Sequence, residues 1–291
     1  LIGSSILRNI NNNKISKSVT VFDNSKDVIE IIKKENLCSN IAKDVQSAVK
    51  DSDLVIFAIP LSSYKEVLLS AKDSFKNDAL ITDTGSVKKE VNKIFENFNL
   101  TSISWIASHP IAGTEESGPS AGFKDLFKNR WTIICDSKNP SKKDKIQKLK
   151  KFWEFLGSKV KIMSIDDHDH ILALTSHLPH AVAYNIVKTA INTDEKFKDE
   201  IIKYSAGGLR DFTRIASSDP LMWRDIFIDN SDNIIKILDE FSNNINDFKK
   251  AITEKNGDKL LKIFASTKNV RKEIIKAGQD VESPDFGRKK N

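Results

Sequence analysis

A polar stretch near the middle of the chain holds the residues best suited to catalysis. Residues 108–118 read SHPIAGTEESG and follow an apolar run, residues 103–107, that is typical of a strand. His109 is one of five histidines in the chain, and an imidazole titrates near neutral pH, as a general base should. Ligands of open α/β sheets lie beyond the carboxyl ends of the strands. We therefore predict that His109 is a catalytic base in a loop; the alternative is a histidine that only caps a turn before Pro110.

Two more polar clusters could contribute to the same site. Ser86 ends the segment DTGS after a predicted strand, so its hydroxyl could face a substrate or simply cap the next helix. His177 and His180 are three residues apart and share a helix face, so one of them could face a cleft; burial in the core is the alternative. His168 and His170 are predicted as residues of a helix start. Their spacing of two points them apart and does not suit a metal site.

A third cluster is basic. Arg210 and Arg214 lie four residues apart after a Gly-Gly pair, on one face of a predicted helix. Guanidinium groups bind carboxylates through two parallel hydrogen bonds, so this face could hold an anionic substrate. The alternative is surface pairing with Asp211 or Asp219, which we expect for at least one of the two arginines.

The start of the chain reads as the second half of a dinucleotide-binding motif. Gly3 opens an amphipathic helical pattern, and Asp23 ends a predicted strand about 20 residues later. In that motif the last glycine lets helix and strand pack closely, and the acid binds the adenosine ribose, which favours NAD over NADP. The alternatives are an ordinary turn at Gly3 and a helix cap at Asp23. We expect the first strand and the first two glycines of the motif to lie before Leu1.

Strand and helix patterns alternate up to residue 163 and predict an α/β fold. Continuous apolar strands between helical segments indicate a Rossmann-type parallel sheet that is covered on both faces. The predicted strands are residues 19–22, 54–60, 79–82, 103–107, 131–135 and 160–163. The predicted helices between them are residues 27–35, 62–71, 87–98 and 142–156.

Only helical patterns remain after Asp166, over residues 166–192, 221–248 and 256–277. We therefore place a domain boundary near Ser164, between a nucleotide-binding domain, residues 1–164, and an all-α domain, residues 165–291. The apolar stripes of the second domain exceed what one subunit can cover, which favours a homodimer through these helices.

Composition narrows the classes of function. The chain has 291 residues and a net charge of +6, with a pI near 9.0. Its lysines are scattered over helical faces without interleaved aromatic residues, so we predict no nucleic-acid partner. No apolar run approaches the roughly 20 residues of a membrane span, and the start has no signal-peptide pattern. The two cysteines fit a reduced, cytoplasmic protein.

In chain order, these clusters resemble one enzyme family. The segments LIGSS, VFD, FAIP, TDTGSVK, SHPIAGTEESG, SHLPHAVA and GGLRDFTRIASSDPLMW are similar to those of the prephenate and arogenate dehydrogenases of tyrosine biosynthesis, across residues 1–250. The ordered pair of HPIAGTE and RDFTRIASSDPLMW is the specific part. The resemblance implies NAD-dependent oxidative decarboxylation of prephenate to 4-hydroxyphenylpyruvate, or of arogenate to tyrosine.

The resemblance also implies roles for single residues. His109 would accept the proton of the ring hydroxyl, and Ser86 would hydrogen-bond near that hydroxyl and orient His109. Arg214 would bind a substrate carboxylate. The same pocket would be lined by His180 and Thr114, and its mouth would be shaped by Glu115, Asp211 and Trp223. The cofactor would contact Ile2, Gly3, Asp23, Pro60 and Ser86.

Two other functions stay open. A β-hydroxyacid dehydrogenase would share the two-domain layout and use a catalytic lysine on the first long helix of the second domain, where Lys188 is available. A non-catalytic NAD-binding protein would keep the fold without turnover. That reading leaves His109, Ser86 and Arg214 together without a role.

Overall fold

The computed structural model describes residues 1–135, 140–192 and 197–277. Strands and helices alternate up to residue 105, as the patterns predict, and two further strands then follow before the next helix. The strands are β1 (Thr20–Val21), β2 (Asn40–Ile41), β3 (Leu54–Phe57), β4 (Leu80–Asp83), β5 (Ser104–Trp105), β6 (Ser108–Ile111), β7 (Trp131–Cys135) and β8 (Lys159–Met163). The helices are α1 (Ile2–Asn13), α2 (Lys26–Lys34), α3 (Val45–Val49), α4 (Tyr64–Ala71), α5 (Lys89–Asn97) and α6 (Lys143–Phe155).

Most strand pairs are parallel, as expected for a nucleotide-binding sheet. Parallel pairing joins β1 to β2, β3 to β4, β4 to β5 and β7 to β8. The pair β6–β7 is antiparallel, with His109 opposite Ile133. The predicted loop is therefore wrong at residues 108–111, which form β6. Pro110 cannot donate a ladder hydrogen bond, and β6 tolerates it because β6 is the edge strand of its three-stranded sheet.

The described residues after Met163 form helices and no strands. First, α7 (Ile165–Leu172) continues through a π-helical turn (Ala173–His177) into α8 (Leu178–Asn192). There follow α9 (Lys198–Lys203), α10 (Gly207–Ala216), α11 (Pro220–Asp229), α12 (Ser231–Thr253) and α13 (Gly257–Lys276). The single helix predicted over residues 221–248 is in fact two, because Asn230 separates α11 from α12.

Residues 278–291, which the sequence assigns to the second domain, lie outside the described residues. None of the helices in the described part of the chain is long and apolar enough to cross a membrane.

One buried apolar cluster joins the two halves. It includes Phe57, Tyr64 and Phe95 from the first half and Leu172, Trp223 and Ile226 from the helical half. Full burial of one such side chain stabilises the folded state by roughly 1.5–3 kcal/mol. The shared core holds α7 and α11 against the sheet, so polar side chains from both halves meet near the ends of β4 and β6.

Candidate active site

A buried ion pair lies behind the catalytic candidate. Asp83 ends β4 and Lys88 precedes α5; both are fully buried, and Nζ of Lys88 pairs with Oδ2 of Asp83. Lys88 Nζ also donates to the backbone carbonyl of Ser108 at 2.9 Å, and the backbone N–H of Ser108 donates to Asp83 Oδ1 at 3.1 Å. The hydroxyl of Ser108 donates to the Asp83 carbonyl at 2.7 Å. The pair therefore fixes the backbone immediately before His109.

His109 projects from the face of β6 opposite to Ser108, since side chains alternate along a strand. It is 8% exposed, and its Nδ1 lies 2.9 Å from Nε2 of His168. Burial lowers the pKa of His109 well below its ordinary value of 6.5, and His168, Lys88 and His177 lower it further. His109 is therefore a neutral imidazole at neutral pH. Its other nitrogen, Nε2, has no hydrogen-bond partner within the described chain.

Helix α7 supplies the partner of His109. The Ser164 hydroxyl accepts the backbone N–H of Asp167 at 3.1 Å and so caps the helix start. His168 and Asp169 follow, both buried, with His168 Nδ1 at 2.7 Å from Asp169 Oδ1. Burial lowers the pKa of His168, and the hydrogen bond and charge of Asp169 oppose that shift. The prediction for His168 is right about its helix position but misses its contact with His109.

Asp169 also caps a second helix. Its Oδ1 and Oδ2 accept the backbone N–H groups of Lys88 and Lys89, each at 2.9 Å, where α5 begins. Burial alone would raise the pKa of Asp169, but these bonds and the bond from His168 lower it overall. The alternative role of Ser86 as the cap of α5 is therefore wrong, because α5 has no side-chain cap from its own segment.

Ser86 itself lies half-buried in the loop between β4 and α5. Within the described residues its hydroxyl makes no hydrogen bond to His109, whose Nδ1 is held by His168 instead. A contact between Ser86 and the substrate hydroxyl stays a prediction.

Trp223 on α11 contacts both histidines of the SHLPH segment. His180 stacks on its ring with centroids 3.6 Å apart, and His177 meets it edge-on at 6.0 Å. Asn230 donates to Nδ1 of His177 at 3.2 Å and to the backbone carbonyl of Asp169 at 2.9 Å. Burial lowers the pKa of His177 to about 4, so this side chain is neutral. Asn230 and His177 therefore connect Asp169, and through it His168 and His109, to Trp223.

The residues predicted at the mouth of the substrate pocket are more exposed than those around His109. Arg214, near the end of α10, meets Glu115 at 3.8 Å between Nη1 and Oε2, with side chains 59% and 36% exposed. Burial lowers the pKa of His180, and the charge of Arg214 lowers it further. Thr114 lies exposed beside Glu115. Asp211 is also exposed, and no contact in the described part of the chain ties it to this group.

The predicted cofactor residues lie at one end of the first half. A Cβ atom on Gly3 would be 3.3 Å from Cβ of Ala58, so a side chain there would crowd the approach of α1 to the end of β3. Asp23 borders a cleft of about 570 Å³ formed by α2 and the segments after β1 and β2. Ile2 is half-buried in the first turn of α1, and Pro60 is exposed after β3. The glycine and the acid thus occupy positions that suit a dinucleotide.

Sequence reasoning missed the buried network around His109, in which only His168 bonds His109 directly. The network also contains Asp83, Lys88, Asp169 and Asn230. A signal existed for two of them: His168, Asp169, Leu172 and Ala173 fall on one face of a predicted helix, and the last two are apolar. An adjacent histidine and aspartate on an apolar face must find partners when they are buried.

A nucleotide-binding fold with a buried, neutral histidine at its sheet and a cationic mouth in a helical half is typical of a nicotinamide-dependent dehydrogenase. Residues 6–162 match the family model for the prephenate dehydrogenase nucleotide-binding domain, and residues 164–266 match the model for the prephenate dehydrogenase dimerization domain. The chain belongs to the prephenate dehydrogenase family. The family inferred from the motifs is thereby confirmed.

Individual relatives agree with this placement. The chain is 37% identical over 272 residues to a cyclohexadienyl dehydrogenase of Zymomonas mobilis, covering 93% of this chain and 92% of that protein. It is 30% identical over 272 residues to a prephenate dehydrogenase of Bacillus subtilis, covering 93% and 73%. The crystal structure of prephenate dehydrogenase from Aquifex aeolicus in complex with hydroxyphenyl propionate and NAD+ is similar with a TM-score of 0.86 at 30% identity, covering 94% of each chain.

Proposed function

We propose that this chain is an NAD-dependent prephenate dehydrogenase, which converts prephenate into 4-hydroxyphenylpyruvate, CO2 and NADH. The geometry at His109 carries the proposal: a buried, neutral imidazole is held through Nδ1, and its Nε2 has no partner in the described chain. Membership of the family supports the reaction, and so does the Aquifex aeolicus relative solved with NAD+ and hydroxyphenyl propionate.

The first half carries the residues that would hold NAD. Gly3 allows the start of α1 to approach Ala58, and helix N-termini bind phosphate groups through their free backbone N–H groups. Asp23 would accept hydrogen bonds from the ribose hydroxyls and disfavour the extra phosphate of NADP. Ile2, Pro60 and Ser86 would complete the contact. NAD, when bound, accepts a hydride from the ring carbon that carries the hydroxyl.

In this reaction His109 first accepts a proton and later donates it back. Its Nε2 accepts the hydroxyl proton while the hydride leaves and the C–O bond becomes a carbonyl. The bond between the ring and its carboxylate then breaks, CO2 departs, and the electron pair moves through the ring to the oxygen. His109 returns the proton to that oxygen, which leaves an aromatic phenol. Ser86 is proposed to hydrogen-bond the same hydroxyl and to complete its orientation.

Arg214 is proposed to bind a substrate carboxylate. Its only close acid in the described chain is Glu115, at 3.8 Å in a solvent-exposed pair, so the guanidinium can exchange partners at small cost. His180 and Thr114 would line the same pocket, and its mouth would be shaped by Glu115, Asp211 and Trp223. Arogenate is a second candidate substrate, because the Zymomonas mobilis relative is named for cyclohexadienyl acids, a class that contains both compounds.

We also propose that residues 1–164 act as the NAD-binding domain and residues 165–291 as the substrate and dimerisation domain of a homodimer. The match of residues 164–266 to a dimerization domain supports this division. Large apolar side chains that one chain leaves exposed also support it, among them Ile235, Leu261 and Phe264. A cytoplasmic location and the lack of a nucleic-acid partner stay predictions.

NADH formation tests the proposed activity. Given NAD and either prephenate or arogenate, the chain should turn over prephenate, and the two values of kcat/KM measure its preference. His109→Asn should lower kcat by about 100-fold or more with little change in KM, as expected when a general base is lost. The matched control is His170→Asn, an exposed position on α7.

Unchanged turnover in His109→Asn would remove His109 from the mechanism. Measurable NAD binding without turnover of either acid would favour the non-catalytic dinucleotide-binding protein, and turnover of 3-hydroxy acids alone would favour the β-hydroxyacid dehydrogenase.

A further inference from the structure

His109 is the first of three buried groups in a row. Its Nδ1 lies 2.9 Å from Nε2 of His168, and Nδ1 of His168 lies 2.7 Å from Oδ1 of Asp169. The three residues are 8%, 0% and 1% exposed, respectively. Bulk water therefore does not compete for either hydrogen bond. Nδ1 of His109 and both ring nitrogens of His168 each have one defined partner.

The row ends on an ionised carboxylate. Besides the bond from His168, Asp169 accepts the backbone N–H groups of Lys88 and Lys89, each at 2.9 Å, at the start of α5. Three donors and the positive end of the helix dipole favour the charged form of the carboxyl group. An ionised carboxylate can only accept, so Nδ1 of His168 must carry the proton of their bond.

This requirement sets the protonation of both rings. A neutral His168 with its proton on Nδ1 has a lone pair on Nε2, so Nδ1 of His109 must donate to it. A neutral His109 with its proton on Nδ1 then has its lone pair on Nε2. We propose that His168 and Asp169 are positioning residues, which hold His109 in the one tautomer whose Nε2 can take the hydroxyl proton. This inference rests on the proposed role of His109 as the base.

The same row stabilises the protonated base. When Nε2 of His109 accepts a proton, the imidazolium keeps its bond to His168, and the negative charge of Asp169 lies directly behind that ring. The titratable and charged groups around His109 are His168 and Asp169 from α7, His177 from the π-helical turn, and Asp83 and Lys88 from the two ends of the β4–α5 loop. Asp83 pairs with Lys88 and offsets part of its charge, although Lys88 still lowers the pKa of His109, and His177 is neutral. Asp169 is therefore the counter-charge that the imidazolium meets.

Variants of His168 test the proposal through a split between kcat and KM. In His168→Leu the acceptor for the Nδ1–H of His109 is lost, and we expect kcat to fall by about 100-fold with KM and the Kd for NAD within about twofold of wild type. His168→Gln keeps an amide oxygen that can accept this bond, so it should recover about tenfold of the loss. The matched control is His170→Leu, exposed two residues further along α7, which should behave as wild type.

A tautomer measurement on the unaltered chain does not depend on how the variants fold. With 15N-labelled histidine, long-range proton–nitrogen NMR distinguishes protonated from unprotonated ring nitrogens, and the His109 signals are those missing from His109→Asn. We expect a protonated Nδ1 and an unprotonated Nε2 at neutral pH. A proton on Nε2 would overturn the proposal, and so would wild-type kcat in His168→Leu when His109→Asn is inactive. Full turnover in His109→Asn would instead refute the base assignment on which the proposal rests.

Discussion

The two parts of the candidate site differ in how their charges are held. Around His109 the charged groups are buried and have fixed partners, as Lys88 has in Asp83. At the mouth, the side chain of Arg214 is 59% exposed and meets Glu115 at 3.8 Å. The first region is a closed network, and the second is a contact between side chains that water surrounds.

In the proposed site, this difference separates the residues of the chemical step from those that recognise the substrate. A group in a buried network keeps its geometry because it would lose a hydrogen bond by moving, so His109 is oriented before a substrate arrives. An exposed ion pair is screened by water and contributes little, so Arg214 can leave Glu115 for a substrate carboxylate. Substitutions in the buried network should therefore reduce stability and turnover, whereas substitutions at the mouth should mainly change KM.

Lys88→Met should cause the largest loss of stability. The substitution leaves Asp83 buried without its cation, and the loss of one partner from a buried pair costs about 3–5 kcal/mol. Urea unfolding measures the change. The control is Lys89→Met, an exposed neighbour whose replacement should change stability by less than about 0.5 kcal/mol. Equal stability of Lys88→Met and wild type would show that the buried pair does not hold β6.

Acid should weaken the fold through His177. Its pKa is about 4 in the folded chain, against about 6.5 for an unfolded histidine. Between these values the unfolded state binds more protons, so the free energy of unfolding decreases as the pH falls from about 6.5 to about 4. The contribution is complete above pH ~6.5 and amounts to about 3 kcal/mol over the full range.

His177→Gln isolates this contribution. Glutamine keeps an acceptor for the amide of Asn230 but does not titrate, so the unfolding free energy of the variant should depend less steeply on pH over the same range. His170→Gln, at an exposed position, should follow the wild-type curve. Identical slopes for His177→Gln and wild type would contradict the lowered pKa.

The positions of most elements could be predicted from hydrophobic patterning. The sequence pattern predicts β7 with its observed bounds, and it predicts α6 to within one residue at each end. Apolar residues repeat in these segments with the period of a strand or a helix. Neither β2, with 2 residues, nor α3, with 5, was predicted, since both are too short to show a period. The sequence pattern predicts a loop in place of β6, because Pro110 interrupts the alternation that is typical of a strand.

The candidate site could be predicted only where one residue type suggests a chemistry by itself. Residue type alone points to His109 and to the pair Arg210 and Arg214, whereas the choice of Arg214 rests on the family resemblance and stays a prediction. The network around His109 could not be predicted, because its bonds join residues far apart in the chain: His109 and His168 are 59 positions apart, and Lys88 and Asp169 are 81 apart. Local periodicity carries no information about such pairs, which form only when α7 packs against the start of α5.

Arg214→Ala should act on binding. Loss of a hydrogen bond between two charged groups weakens the complex by about 1.5–3 kcal/mol, so KM should rise by roughly 10- to 100-fold while kcat changes less. The control is Arg210→Ala, exposed one helical turn earlier on α10. A rise in KM for Arg210→Ala, with KM unchanged in Arg214→Ala, would assign the carboxylate to Arg210.

Glu115→Gln should have the smallest effect on stability and KM. It tests most directly whether Glu115 and Arg214 form an exposed, exchangeable ion pair. An exposed pair at 3.8 Å contributes less than about 1 kcal/mol, so the stability of the fold should not change measurably. Under the proposed role of Arg214, Glu115 competes with the substrate carboxylate, and its removal should lower KM for prephenate by about threefold at low salt. High salt should abolish that difference, because it already screens the pair. A large loss of stability, or a KM effect that persists in high salt, would mean that Glu115 and Arg214 form a fixed part of the site, as Asp83 and Lys88 do.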